Sequence, residues 1–125
     1  METVTKGIKQ ELEQADQALT SMEEVLEKKE LAPEIIPMAQ QSGVALMRAF
    51  LLLKGEEPAG SNLRNLWNQC ATVEAEFLEI QELIDYITPD EPLDDLDSED
   101  FSEILDAANE LWDFVVGFFP EDYLP

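Results

Sequence analysis

From Ile8 the apolar residues fall at Ile8, Leu12, Ala15, Leu19, Met22 and Leu26, while Glu, Gln and Lys fill the positions between them. Alternating steps of four and three put these side chains on one side of an α-helix, so a first amphipathic helix is predicted over about residues 4–30. Pro33 and Pro37 then demand a turn, because proline is tolerated only in the first turn of a helix. A second helix is predicted over about 36–54, ending at Gly55. Apolar residues from Val44 to Leu53 occupy nearly every face of its second half, which makes it the expected central and most buried element. Gly43 inside it costs about 1 kcal/mol of helix propensity relative to Ala, which points to the close approach of a neighbouring helix.

Gly55, Pro58 and Gly60 form a breaker cluster, with Ser61 or Asn62 as the cap of a third helix. Its stripe of Leu63, Leu66, Trp67, Cys70, Val73, Phe77, Ile80, Leu83, Ile84 and Ile87 predicts one helix over 62–87, with a kink near Ala71 and Thr72. Residues 88–97 read as a solvated acidic loop containing Pro89 and Pro92. Asp97 or Ser98 caps a fourth helix over 98–117, whose buried side is Phe101, Ile104, Leu105, Ala108, Leu111, Trp112 and Val115. A tail, 118–125, follows. No stretch alternates as a β-strand does, so the expected fold is all-α: a single-domain four-helix up-and-down bundle.

Composition narrows the chemistry. The 125 residues are 45% hydrophobic, enough for a core, and carry 29 acidic against 7 basic residues, a net charge of -22. Affinity for a nucleic-acid backbone comes mainly from Lys and Arg, so direct nucleic-acid binding is not expected. The chain has no histidine. That removes the commonest general base, the usual nitrogen ligand of zinc and every imidazole triad, and no metal or cofactor is expected. One cysteine cannot form an internal disulfide, and no signal-peptide or membrane-spanning segment is discerned, so the protein is expected to be cytoplasmic.

Three segments, in order, resemble the HEPN domain. AQQSGVALMRAFLLLKGEEP, from Ala39 to Pro58, is similar to the family's second helix and the Gly/Pro turn after it. SNLRNL, Ser61 to Leu66, resembles the start of the third helix. IDYITPDEP, Ile84 to Pro92, together with ILDAANELWDFV, Ile104 to Val115, resembles the family's tyrosine, Pro-Asp loop and Ala-rich last helix. The resemblance implies a helical bundle that dimerises by packing helices across a two-fold axis, working with a minimal nucleotidyltransferase partner in a nucleotide-related or toxin–antitoxin-type system. Ribonuclease members carry an Arg closely followed by a catalytic His, and this chain has no His. Separately, where the family often opens helix three with Thr-His-Asp-Leu, the chain reads Gly60, Ser61, Asn62, Leu63, with Ser61 at the His position. The implied role is therefore binding or regulation without catalysis. Two alternatives rest on charge and size: an acidic DNA mimic or inhibitor of a nucleic-acid-binding protein, and a helical assembly chaperone.

The candidate contacts for a partner or anion are Arg48, Lys54, Ser61, Asn62 and Arg64. Arg48 and Arg64 are expected to face a common groove between helices two and three, either as forks for an anionic group or in salt bridges with the abundant carboxylates. The acidic run from Asp90 to Asp100 lacks the Gly and the terminal Glu of a calcium loop and reads as solvated. Cys70 lies on the apolar stripe and reads as a buried structural thiol. Trp67 and Trp112 read as core. In the tail, Phe118, Phe119, Tyr123 and Leu124 either fold back over the bundle or form a docking surface.

Overall fold

The computed structural model describes residues 2–28, 34–60, 62–88 and 98–125. The predicted turn at Leu31 to Pro33, the cap residue Ser61 and nearly all of the acidic loop, residues 89–97, lie outside the described residues. The all-α class stands: no strand occurs among the described residues, and five α-helices form the bundle. They are α1 (Glu2–Lys28), α2 (Ile35–Leu53), α3 (Leu63–Val73), α4 (Gln81–Ile87) and α5 (Ser98–Val116). A 3-10 turn, Ala75–Ile80, joins α3 to α4, and a second, Glu121–Tyr123, lies in the tail.

The first two helices follow their periodicity closely. Ile8, Leu12, Ala15, Leu19 and Met22 are all buried, and α1 packs antiparallel on α2, with Ser42 Oγ donating to the Ala15 carbonyl at 3.3 Å and Arg48 meeting Glu11. Pro37 sits in the first turn of α2, where an amide hydrogen has no intrahelical acceptor, so its missing donor costs no hydrogen bond. The helix closes at Gly55, which takes φ +75° while its amide reaches the Leu52 carbonyl and the Glu56 amide reaches the Leu51 carbonyl. This pair of bonds is the Schellman arrangement that needs a left-handed residue after the cap. By length and apolarity α2 is the one helix among the described residues that could cross a membrane. It is instead the hub of the bundle, packed against α1, α3 and α5.

Gly43 explains how three helices meet there. A methyl group added at Gly43 would stand 2.9 Å from Leu63 Cδ1 and 3.3 Å from Leu111 Cδ2, so buried side chains of both α3 and α5 pack directly over this glycine and would have to shift to admit a larger residue. The close-packing reading of this glycine is the structural one.

The third arm departs from expectation. The spacing predicts one helix over 62–87 kinked near Ala71 and Thr72; the chain goes further than a kink and leaves helical geometry altogether at Glu74, with φ -138° and ψ 107°. No Gly or Pro lies between Ala71 and Ile80 to announce the break. Tertiary bonding supplies the reason: the Trp67 indole nitrogen, buried, donates to the Phe77 carbonyl at 2.8 Å, which requires the chain to fold back over α3. Phe77 then inserts its ring against Phe50, Phe114 and Phe118, with centroids 4.5, 5.3 and 5.5 Å away. As a result α4 runs back along α3, bringing Asp85 and Thr88 to Arg64. The loop 56–60 also returns alongside α2, so Leu63 faces Gly43 and Cys70 faces Met47. Thus α3 runs in the same sense as α2, and alternation of direction resumes at α4 and α5.

Candidate functional site

The basic residues singled out in the sequence are not brought into one groove. Arg48 is about one-third exposed and turns toward α1, its Nε donating to Glu11 Oε1 at 3.3 Å while a terminal nitrogen donates to the Gly60 carbonyl, also at 3.3 Å. Arg64, by contrast, turns toward α4. Its two terminal nitrogens donate to Asp85 Oδ1 and Thr88 Oγ1, each at 2.7 Å, and the Thr88 hydroxyl passes a further bond to the Ile84 carbonyl. Each fork joins two stretches of chain: α1 to the returning loop, and the start of α3 to the end of α4. The common groove expected for the pair is therefore a correction, arising because the break at Glu74 gives Arg64 a partner helix of its own.

Lys54 caps α2 and holds its ammonium 5.6 Å from the centre of the Phe50 ring. Asn62 caps α3, its Oδ1 accepting from the Asn65 amide at 3.0 Å. Ser61 lies outside the described residues. Gln69 binds the loop between them, accepting from the Ala59 amide and donating to the Glu57 carbonyl. Cys70 is buried, and burial pushes its thiol from 9.0 up to about 12, so the nucleophilic thiolate is suppressed. No group of His, Cys, Asp or Glu suited to a metal ion occurs among the described residues.

The tail takes the folded-back course. Phe118 packs its ring on Phe50, Phe77 and Phe114, and Phe119 is buried. Tyr123 and Leu124 are half-buried against the same core, so the Phe rings that a docking tail would present are turned inward. Trp67 is core, as expected, and Trp112 is half-buried at its margin.

A different feature escaped the sequence reading. Between α4 and α5 runs an open cleft of about 380 Å³. Glu82 and Tyr86 stand on its α4 wall, and Glu103, Asp106 and Glu110 on its α5 wall. Leu83 and Ala107 form the floor. Tyr86 reaches across to donate its hydroxyl to Glu103, and this bond raises the phenol from 10.0 to about 12. Most of its lining residues lie beside the buried stripes rather than on them, so a reading of apolar periodicity passes them over, and the antiparallel course of α4 and α5 sets these flanks side by side. A second groove, between α1 and α2, is lined by Gln14, Gln17, Ser21 and Gln41 and has no charged wall.

No curated protein and no solved structure matches the chain. The family model of the HEPN domain matches residues 8–119, which takes in α1 from Ile8 onward, all of α2 to α5 and both ends of the third arm. With the all-α architecture already in place, that coverage is decisive: the chain belongs to the HEPN domain family.

Proposed function

We propose that this HEPN chain is a non-catalytic binding or regulatory subunit whose partner is a separate protein chain, a minimal nucleotidyltransferase being the natural candidate in view of the family. The observation that carries the reading is the commitment of Arg64: both terminal nitrogens of its fork are bonded within the molecule, and no histidine exists anywhere in the sequence to act beside it. General acid–base cleavage of RNA needs a group that exchanges protons near neutrality within reach of the substrate. Arginine stays protonated and cannot fill both roles. Homodimerisation and a cytoplasmic setting belong to the same proposal.

The test is direct. Purified protein incubated with single-stranded and structured RNA is expected to leave both intact, and capture from native cells in high salt is expected to retain a nucleotidyltransferase-like chain. Robust cleavage that disappears in Arg48→Lys or Arg64→Lys would overturn the non-catalytic assignment. Capture that yields basic nucleic-acid-binding proteins at low salt alone would transfer the function to the acidic mimic.

A further inference from the structure

Charge is divided unevenly along the chain. No Lys or Arg follows Arg64, while more than half of the 29 acidic residues do. In space, the half built from the rest of α3, α4 and α5 is therefore of one sign, and the α4–α5 cleft lies within it. Among the described residues no cation pairs with Glu82, Asp106 or Glu110, and the ion pairs of Arg48 and Arg64 lie on other faces.

The cleft differs from the acidic surface around it in having an apolar floor and a fixed aromatic wall. Glu103, Asp106 and Glu110 follow one another at successive turns of α5, so their carboxylates repeat about every 5 Å along the groove. Tyr86 is 41% exposed, yet its ring is held across the groove by the bond to Glu103. An exposed aromatic face beside carboxylates suits a cationic side chain with an aliphatic stem, through cation–π contact at the ring and charge-assisted bonds at the rim. A single small cation would leave the floor of Leu83 and Ala107 unused. A helix with Lys or Arg at three- and four-residue steps, flanking a narrow Leu/Ala seam, would use both.

We infer that the α4–α5 cleft is a docking groove for a basic amphipathic helical segment of a partner protein. The inference rests on the reading of this chain as a partner-binding subunit, and it names where and by what chemistry the partner is gripped. Wider electrostatics would favour the same occupant, since a one-signed half of the molecule accelerates and orients the approach of a cationic segment.

The probe is a labelled helical peptide of about 16 residues, Lys-rich on its flanks with a Leu/Ala seam, titrated by fluorescence anisotropy at fixed salt beside a scrambled peptide of equal composition. One protein variant combines Glu103→Gln, Asp106→Asn and Glu110→Gln. A second removes the same charge outside the groove with Glu76→Gln, Glu79→Gln and Glu121→Gln, all at exposed positions. The groove variant is expected to bind about tenfold or more weakly than the unaltered protein, and the outer variant within about twofold, with the scrambled peptide binding poorly throughout. Equal weakening by the two variants, equal binding of the two peptides, or no binding at all overturns the groove. RNA cleavage by the protein would instead overturn the subunit reading and leave this titration as it stands.

Discussion

Gly43 and Gly7 are both glycines within helices, yet an added methyl group should move stability in opposite directions at the two sites. At Gly43 the new carbon meets Leu63 at 2.9 Å, with Leu111 close behind, in a buried junction of three helices. Gly43→Ala should therefore destabilise the protein by about 1–3 kcal/mol through overpacking, despite its better helix propensity. At Gly7 the nearest atom is Leu52 Cδ1 at 3.8 Å, an ordinary contact, so Gly7→Ala should stabilise by up to about 1 kcal/mol. Urea unfolding of the two variants measures both numbers, and a Gly43→Ala protein as stable as its parent would refute the close junction. Ser42, next along the chain, makes the complementary point: a buried hydroxyl is accommodated because it bonds the Ala15 carbonyl across the helix pair.

Among the helices, the third arm depends most on a single bond. Trp67→Phe keeps an aromatic ring but removes the donor that serves the buried Phe77 carbonyl, so it should cost about 1–3 kcal/mol. The loss should fall locally, and hydrogen exchange is expected to speed up in residues 75–87 before α1 and α2 are affected. Uniform acceleration across the whole chain would contradict a separately anchored arm. What could be read in advance follows the same division. The stripes of α1, α2 and α5 are continuous at helical spacing, so their existence, their buried residues and the turn at Gly55 were legible from local rules. The stripe from Leu63 to Ile87 is equally continuous, and for that reason it misled: its period is satisfied by one long helix or by two shorter ones facing the same core. Choosing between them takes the Trp67–Phe77 bond and the insertion of Phe77, both of which join residues that local periodicity does not relate. The destination of Arg64, at Asp85 and Thr88 beyond the fold-back, inherits that dependence.

Across the molecule, the net charge of -22 sets a repulsion that local bonds must withstand. It is concentrated after Arg64, where carboxylates on α4 and α5 line both sides of an open cleft without an intervening cation among the described residues. Exposed charges interact over about 10 Å at 0.1 M salt and over much less at higher concentration, so added salt should relieve the self-repulsion. The midpoint of thermal unfolding, followed by circular dichroism, is expected to rise as NaCl is taken from about 0.02 M to about 0.5 M. A midpoint that stayed level or fell would place the dominant electrostatics in the Arg48 and Arg64 pairs instead, which salt weakens.

The cluster of Phe50, Phe77, Phe114 and Phe118 also imposes an order on events during folding. Its rings come from α2, the 3-10 turn, α5 and the tail, so no pair of them is close in sequence except Phe114 and Phe118. Chain entropy must be lost over long loops before these contacts form, whereas only six residues of sequence separate the end of α1 from the start of α2. The hairpin is thus the natural nucleus and the aromatic cluster the closing step. A cluster that closes after the transition state acts chiefly on the rate of unfolding, so Phe118→Leu is expected to speed unfolding more than it slows refolding, which stopped-flow rates in urea measure directly.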